Sequence, residues 1–216
     1  MDIERARFNM IEQQIRPWDV LDPAVLDALA AVKREDFVPA EVQALAFVDT
    51  EVPLPHGQCM LAPKLEARLM QEATISPHEH VLEVGAGSGH MAALLAQRAA
   101  QVTTIEIDPA LARLATENLR RAGVANVTVL QGDASRSLPE GRPFDVILLS
   151  GSVHAVPDAL LARLAPGGRL VAIVGELPIM RAVRVTRAEE GIGRVDLFET
   201  VAPRLQNFGE PTRFVF

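Results

Sequence analysis

Cysteine and aromatic residues are scarce in this chain of 216 residues, which has one Cys, one Trp and no Tyr. The single cysteine, Cys59, excludes an internal disulfide and a cysteine-rich metal centre. The five histidines do not show the spacing of metal ligands, so no metal site is expected. Because aromatic rings are few, the sequence also lacks the stacking platforms that single-stranded nucleic acids require.

Long apolar runs and basic clusters are missing as well. No run reaches the roughly 18 residues that a membrane span needs, and the charged segment Met1–Arg5 is not a secretory signal. We therefore expect a cytoplasmic protein that does not enter membranes. The net charge of −7 argues against nucleic-acid binding. The hydrophobic content of 49% suits one well-filled globular domain with an appendage.

The most informative segment that is present is Val81–Gly89, in which apolar residues and Glu83 precede three glycines at alternate positions. It predicts a strand that turns sharply into a helix, whose free N–H groups would face a nucleotide-like ligand. A dinucleotide-binding turn requires a third glycine where this chain has His90. The spacing is instead acidic-x-Gly-x-Gly-x-Gly, which resembles the first motif of the Rossmann-like S-adenosylmethionine (SAM) dependent methyltransferases. A βα turn that binds no ligand is the alternative.

Strands and helices alternate from about residue 80 onward. Strands are expected at residues 80–84, 102–107, 127–130, 144–149 and 169–174. Helices are expected at about residues 90–99, 109–122 and 156–164. This alternation implies a parallel sheet with right-handed crossovers. Residues 180–187 and 194–201 predict a closing hairpin with an antiparallel final strand, so the fold class is α/β, a doubly wound, mostly parallel sheet of seven strands.

Helical segments precede this core, at about residues 3–16 and from Pro23 and Pro63 onward, with a proline-rich loop before the last of them. We expect residues 1–75 to form an N-terminal helical extension with an active-site loop. Residues 76–216 are expected to form the SAM-binding core. The tail after the hairpin, residues 206–216, has no predicted place.

Two carboxylates follow strands at positions suited to a nucleoside. Glu106 ends the second strand, where its oxygens can accept hydrogen bonds from ribose hydroxyls. Asp133 follows the third strand, and the resemblance implies that it faces the adenine amino group, a donor that suits an acceptor-only side chain. The alternative for Glu106 is a solvated acid at a strand end, and the alternative for Asp133 is a turn that binds no ligand. The predicted cofactor-binding residues are Glu83, Gly85, Ala86, Gly87, Ser88, Gly89, Glu106, Ile107, Asp133, Ala134 and Ser150.

The resemblance narrows to one family outside the core. Five segments of the chain resemble the protein-L-isoaspartate O-methyltransferases: Asp22–Leu29, Val32–Pro39, Pro53–Gln58, Ala62–Pro63 and Leu160–Gly168. The similarity covers about residues 10–205. The family implies O-methylation of the isoaspartyl carboxylate in damaged proteins or peptides. SAM would be the donor and S-adenosyl-L-homocysteine the product. The family's G-x-T-I-S-x-P loop differs here, since Cys59 and Leu61 replace its Thr and Ser.

A carboxylate acceptor has an unperturbed pKa near ~4, so methyl transfer to it needs no general base. The catalytic contribution would then be positioning and exclusion of water, assigned to loop residues Gln58, Cys59, Met60 and Leu61, with His154 as a candidate to face the substrate. Three alternatives stay open. The loop could be an ordinary connector, the methyl acceptor could be a small molecule, or the chain could be a SAM-binding interaction protein without catalysis.

Overall fold

A seven-stranded sheet forms the centre of the protein in a computed structural model that describes residues 2–209. The strands are β1 (Val52–Pro53), β2 (Cys59–Met60), β3 (His80–Val84), β4 (Gln101–Glu106), β5 (Val127–Gln131), β6 (Phe144–Val153), β7 (Leu164–Glu176), β8 (Ile179–Ala188) and β9 (Gly191–Thr200). The central sheet has the order β5-β4-β3-β6-β7-β8-β9, and β1 and β2 pair separately. Within the set β3 to β7, every two strands that lie side by side are parallel, which confirms the predicted α/β class.

The helices are α1 (Ile3–Met10), α2 (Pro23–Ala31), α3 (Pro63–Ala73), α4 (His90–Ala96), α5 (Pro109–Arg121) and α6 (Asp158–Leu161). Helices α2 and α5 both begin with an aspartate cap followed by proline. The Asp22 carboxylate accepts from the Ala24 N–H at 2.8 Å, and Asp108 accepts from the Ala110 N–H at 2.7 Å. Each cap satisfies an N–H that the helix leaves without a partner, and both helices begin at the prolines where helix starts were predicted, Pro23 and Pro109.

The two faces of the sheet carry separate apolar cores because successive strand residues point to opposite faces. On β3, Val81 belongs to the core covered by α2, α3, α4 and α5, whereas Leu82 belongs to the other core. On β6, Val146 and Ile147 divide in the same way. Helix α6 and the chain end cover the second face, so the sheet is covered on both sides, as predicted for a doubly wound fold.

The N-terminal helices share the first of these cores with the sheet. Fully buried residues such as Ile15 and Leu69 lie in one cluster with Val146 of β6. The predicted first helix is irregular: α1 ends at Met10 and continues as a π-helical segment, Ile11–Ile15, and one 3₁₀ turn. A division of the chain near residue 75 stays a prediction.

Three predicted details of the core are corrected. The hairpin is present, but its antiparallel strand is the sixth strand of the central sheet, β8, and the final strand, β9, again runs in the direction of β7. Helix α4 stops at Ala96 rather than near residue 99. Helix α6 has only 4 residues, because the segment before it is extended and β7 already begins at Leu164.

Candidate functional site

The glycine-rich turn lies at the carboxyl edge of the sheet, between β3 and α4. Gly85 and Gly89 both have positive φ angles, 95° and 85°, which side-chain-bearing residues rarely adopt. A Cβ on Gly89 would also lie 3.2 Å from the Cα and carbonyl oxygen of Ala115 on α5. The glycines thus give the sharp turn that the sequence pattern predicted, and Gly89 also permits a close packing of α4 against α5 that was not predicted.

Two adjoining cavities open around this turn. The outer cavity includes Gly85, Gly87, Glu106, Ile107, Asp133, Ala134 and Ser150 in its wall, together with loop residues Gln58 and Cys59. The inner cavity is lined by Cys59, Met60, Leu61, Glu66, Glu83, Gly85, Ala86, Gly87, Ser88, His90, Met91 and Ser150. Of the predicted cofactor-binding residues, all but Gly89 line one of the two cavities, and Gly89 caps α4 behind them.

Glu106 joins two backbone segments at the rim of the outer cavity. One carboxylate oxygen accepts from the Gly87 N–H at 2.8 Å, and the other accepts from the Asp108 N–H at 3.0 Å. The side chain is only 5% exposed, so these bonds fix the carboxylate in place. A carboxylate has about four acceptor positions, which leaves capacity for the two hydroxyls of a ribose.

Asp133 is held in a similar way. Its Oδ1 accepts from the Ser135 hydroxyl at 2.6 Å, and its Oδ2 accepts from the Asn207 amide at 2.8 Å. The hydrogen bond from the Ser135 hydroxyl, with that of Asn207, lowers the pKa of Asp133 below its ordinary value. An ionised carboxylate in this orientation accepts hydrogen bonds and donates none, which suits an adenine amino group.

Glu83 is fully buried between the turn and the neighbouring strand β6. The Ser150 hydroxyl donates to Glu83 Oε1 at 2.6 Å, whereas Oε2 has no hydrogen-bond partner among the described residues. Burial raises the pKa of Glu83 to about 7, against the opposing effects of the hydroxyl groups of Ser150 and, more weakly, Thr104. An unpartnered buried carboxylate oxygen is costly, and a cationic group in the adjoining cavity would relieve that cost.

The loop between β1 and α3 packs onto the site and encloses it. The Leu54 side chain lies 3.2 Å from the position of a Cβ on Gly87, so its methyl group rests on the glycine-rich turn. The ring of His56 pairs with the carboxylate of Asp108, which follows β4. The hydrogen bond from His56 lowers the pKa of Asp108. These contacts hold Gln58 and Cys59 against the outer cavity, and the role of this loop toward a substrate stays a prediction.

The two residues that depart from the family's loop have different surroundings. Cys59 is half-buried, and its thiol lies 3.7 Å from the carboxylate of Glu51. Burial, aided by the negative charge of Glu51, raises the pKa of Cys59 to about 11, so the thiol is neutral near pH 7. Leu61 is 4% exposed and belongs to the apolar core. Neither side chain is a strong hydrogen-bond donor.

A buried charged cluster lies behind the loop and was not predicted. The Arg34 guanidinium pairs with Glu66 and also donates to the Leu61 carbonyl oxygen at 2.8 Å. His90 Nδ1 lies 3.0 Å from the same Glu66 carboxylate. Burial alone would raise the pKa of Glu66, but the charges of Arg34 and His90 hold it below its ordinary value. The cluster ties the loop backbone to the first residue of α4.

The chain end supplies the other unpredicted part of the site. Residues 202–205 run beside the end of β6, where the Leu205 N–H donates to the Ser152 carbonyl at 2.9 Å. Leu205, Gln206 and Phe208 then line the outer cavity. No periodic pattern marks this segment, and its place beside β6 was not predicted. Residues 210–216, the rest of the tail without a predicted place, lie outside the described residues.

His154 lies beyond these cavities rather than in their walls. Its Nδ1 is 3.2 Å from a carboxylate oxygen of Glu176, at the end of β7. Its role toward a substrate stays a prediction. Across residues 2–209, no group of three or more His, Cys, Asp and Glu side chains is arranged to hold a metal ion. Within the same range, no helix has the length and apolar character to cross a membrane.

Comparison with known proteins places these features in one family. A family model described as protein-L-isoaspartate(D-aspartate) O-methyltransferase matches residues 5–202. The protein-L-isoaspartate O-methyltransferase of Koribacter versatilis is 43% identical over 189 residues, which cover 88% of this chain and 84% of the relative. The protein-L-isoaspartate O-methyltransferase 1 of Rhodopseudomonas palustris is 44% identical over 182 residues, which cover 84% of this chain and 74% of the relative.

A solved structure shows the same fold. The crystal structure of a putative protein-L-isoaspartate O-methyltransferase from Plasmodium falciparum, in complex with S-adenosyl-L-homocysteine, superposes with a TM-score of 0.78. The match covers 95% of this chain and 99% of that protein at 21% sequence identity. The likeness therefore extends over the sheet, the N-terminal helices and the loop between them.

Proposed function

This chain belongs to the protein-L-isoaspartate(D-aspartate) O-methyltransferase family, and we propose that it transfers a methyl group from SAM to the carboxylate of L-isoaspartyl residues in damaged proteins. One observation carries the proposal at the level of the site. The cavities at the carboxyl edge of the sheet bring together the carboxylates of Glu106, Asp133 and Glu83 beside the loop, which supports their proposed roles toward the ribose, the adenine and a cationic group of SAM.

The residues present fit SAM. The unpartnered Oε2 of Glu83 is buried beside the inner cavity, and SAM carries two positive charges, an ammonium and a sulfonium. The ammonium would pair with Glu83, which would remove the cost of leaving that oxygen unsatisfied. Glu106 would then accept from the ribose, and Asp133 from the adenine amine. When bound, SAM supplies an electrophilic methyl group.

The chain's own residues orient the methyl acceptor and exclude water from the reaction. An isoaspartyl carboxylate is ionised at neutral pH, so one of its oxygens can attack the methyl carbon while the carbon–sulfur bond breaks. The products are a methyl ester and S-adenosyl-L-homocysteine, and no proton has to move. The neutral thiol of Cys59 takes no part as a nucleophile. The loop from Leu54 to Leu61 excludes water and orients the acceptor.

The partners follow from this chemistry. We propose isoaspartyl-containing proteins and peptides as substrates and the cytoplasm as the site of action, in keeping with the lone cysteine. The net charge of −7 supports the further proposal that nucleic acid is not a partner. A methyl acceptor of low molecular weight and a SAM-binding protein without catalysis are the alternatives that the experiment below would reveal.

The test is radiolabelled methyl transfer from SAM to an isoaspartyl peptide, with the aspartyl peptide of identical sequence as the control. We expect label in the first peptide and none above background in the second. The label should be released by mild base, because the product is an ester. Calorimetric binding of SAM without methylation of either peptide would overturn the proposed activity. It would leave the small methyl acceptor and the SAM-binding protein without catalysis, which label transfer to low-molecular-weight metabolites would separate.

A further inference from the structure

A second, larger groove opens on the same edge of the molecule, between α3 and the β8–β9 hairpin. We call it the hairpin groove; it has a volume of about 540 Å³ and is lined by Trp18, Lys64, Arg68, Ile179, Phe198 and Val201, among others. Several of these apolar side chains are widely exposed: Trp18 by 54%, Ile179 by 57% and Val201 by 48%. Exposed apolar side chains gathered in one concavity indicate a binding surface more than a random scatter does.

The positive charges in the groove are already neutralised. Lys64 lies 4.0 Å above the ring of Trp18 and pairs with Asp49 at 2.8 Å. Arg68 lies 4.4 Å from the ring of Phe198 and faces Asp19 and Glu72. With Glu51 and Glu199 also in the wall, the groove does not suit an anionic ligand such as a phosphate or an acidic membrane surface.

The groove adjoins the site of methyl transfer. Glu51 lines the groove, and its carboxylate lies 3.7 Å from the thiol of Cys59, which lines both cavities of the cofactor site. Ala62, at the end of the same loop, also lines the groove. The active-site loop is thus a shared wall with the cofactor on one side and the apolar groove on the other. A polypeptide with its acceptor residue at Cys59 would pass into the groove.

We propose that the hairpin groove binds the polypeptide segment that flanks the isoaspartyl residue and selects substrates with an apolar side chain in that segment. The proposal rests on the proposed function. A second copy of the chain is a poorer occupant, because a stable dimer buries about 800 Å² per partner, far more than a groove for one or two side chains offers. A small methyl acceptor would leave this surface unused.

The first test uses isoaspartyl peptides of equal length and charge, in which one leucine is moved through three positions on each side of the isoaspartyl residue in a Ser/Gly background. We expect a leucine at one or two positions to raise kcat/KM about tenfold over the leucine-free peptide, mainly through KM. Peptide binding is measured by the fluorescence emission of Trp18, the sole tryptophan. The protein is titrated in the presence of S-adenosyl-L-homocysteine with peptides that lack Trp and Tyr. The emission should shift to shorter wavelength as the leucine enters.

The second test compares Ile179→Ser with Ile192→Ser. Both isoleucines belong to the β8–β9 hairpin and are similarly exposed, 57% and 54%, but only Ile179 lines the groove. We expect Ile179→Ser to raise KM for the leucine peptide severalfold and leave the leucine-free peptide unaffected, whereas Ile192→Ser changes neither. Unfolding temperatures of both variants check the fold.

Each possible result decides the matter. Equal effects of the two serine variants, or equal kcat/KM for all peptides, would overturn the proposed role of the hairpin groove while leaving the proposed activity intact. Failure of every isoaspartyl peptide to accept a methyl group would overturn the proposed function itself. A dimer of the parent protein that persists in Ile192→Ser but is lost in Ile179→Ser would overturn the proposal and assign the groove to a second copy.

Discussion

The side-chain amide of Asn207 donates a 2.8 Å hydrogen bond to the carboxylate of Asp133, which joins the chain end to the loop after β5. Ser135 holds the other oxygen of the same carboxylate at 2.6 Å. Asp133 is therefore oriented from two sides before any ligand binds. A preoriented acceptor loses little conformational freedom when it recognises an adenine amine.

Asp133→Ala should lower the affinity for SAM about tenfold, because the adenine amine loses its acceptor and about 1–3 kcal/mol of binding energy. The loss should be much smaller for an analogue of SAM that lacks the exocyclic amine. Asn207→Ala is the matched control, since Ser135 still orients Asp133 and discrimination between the two ligands should persist. Calorimetry with both ligands measures this, and equal losses for both in Asp133→Ala would contradict the assignment.

Glu83 should make stability depend on pH. Its pKa is raised in the folded protein from 4.5 to about 7 by burial, so the folded state holds a proton that the unfolded state releases between these values. Stability therefore falls as the pH rises through that interval, by a cost on the order of 3 kcal/mol that is fully present above pH ~7. Glu83→Gln should remove this dependence. Free energies of unfolding at pH 5 and pH 8 for both proteins provide the measurement.

Exposed Glu117 on α5 supplies the control for that experiment, because Glu117→Gln should keep the pH dependence of the parent. SAM binding adds a second readout. If its ammonium pairs with ionised Glu83, binding near pH 6 should release a proton, which calorimetry in buffers of different ionisation enthalpy detects. Absence of proton release in the parent protein would place the ammonium elsewhere.

Arg34→Ala should destabilise the protein by about 3–5 kcal/mol, because it leaves Glu66 buried without its guanidinium partner. The lowered pKa of Glu66 means that the stabilisation is present above about pH 4.5 and is lost as the pH falls through the lower folded value. In the variant, Glu66 can be protonated instead, so the difference from the parent should narrow below pH 5. Denaturant unfolding at pH 4 and pH 8 checks this.

Arg113→Ala on the exposed face of α5 is the matched control and should change stability by less than about 0.5 kcal/mol. A difference for Arg34→Ala that stays constant with pH would mean that the cluster contributes packing rather than charge pairing.

Cys59→Thr should raise turnover of an isoaspartyl peptide by up to about tenfold, because a hydroxyl supplies a donor of ~1.5 kcal/mol that the thiol lacks. Leu61 should not be changed with it, since a buried leucine replaced by serine would cost stability. Initial rates on isoaspartyl and aspartyl peptides test this for the parent and the variant. An unchanged or slower rate would show that backbone N–H groups already orient the acceptor.

Local sequence patterns predicted the parts of the fold that local chemistry fixes. The helix starts at Pro23 and Pro109 were predicted, as was the turn that Gly85, Gly87 and Gly89 form beside the cavities. Most of the residues predicted for cofactor binding line those cavities because they lie near or just after the carboxyl ends of parallel strands, and these ends meet at one edge of the sheet.

Long-range packing determines what the sequence did not reveal. The pairing of Arg34 with Glu66 joins residues 32 positions apart, and that of Asn207 with Asp133 joins residues 74 positions apart. The direction of β8 and β9 was also misassigned, because a hairpin pattern does not state which of its strands pairs with the sheet. The irregular end of the first helix was not predicted either, and its residues Ile11 and Ile15 are buried in the core that the helices share with the sheet.

The segment that follows β9 at the carboxyl edge forms one wall of the outer cavity, so that wall depends on a part of the chain that is synthesised late. Leu205 approaches Gly85 and Gly151 so closely that a Cβ on either glycine would lie within 3.0 Å of it, and Leu205 is thus the counterpart for which the glycine-rich turn leaves room. A nascent chain that has left the ribosome only as far as β7 already contains Glu83, Glu106 and Asp133 but lacks this wall. This wall of the outer cavity can therefore form only after all the strands of the sheet have been translated.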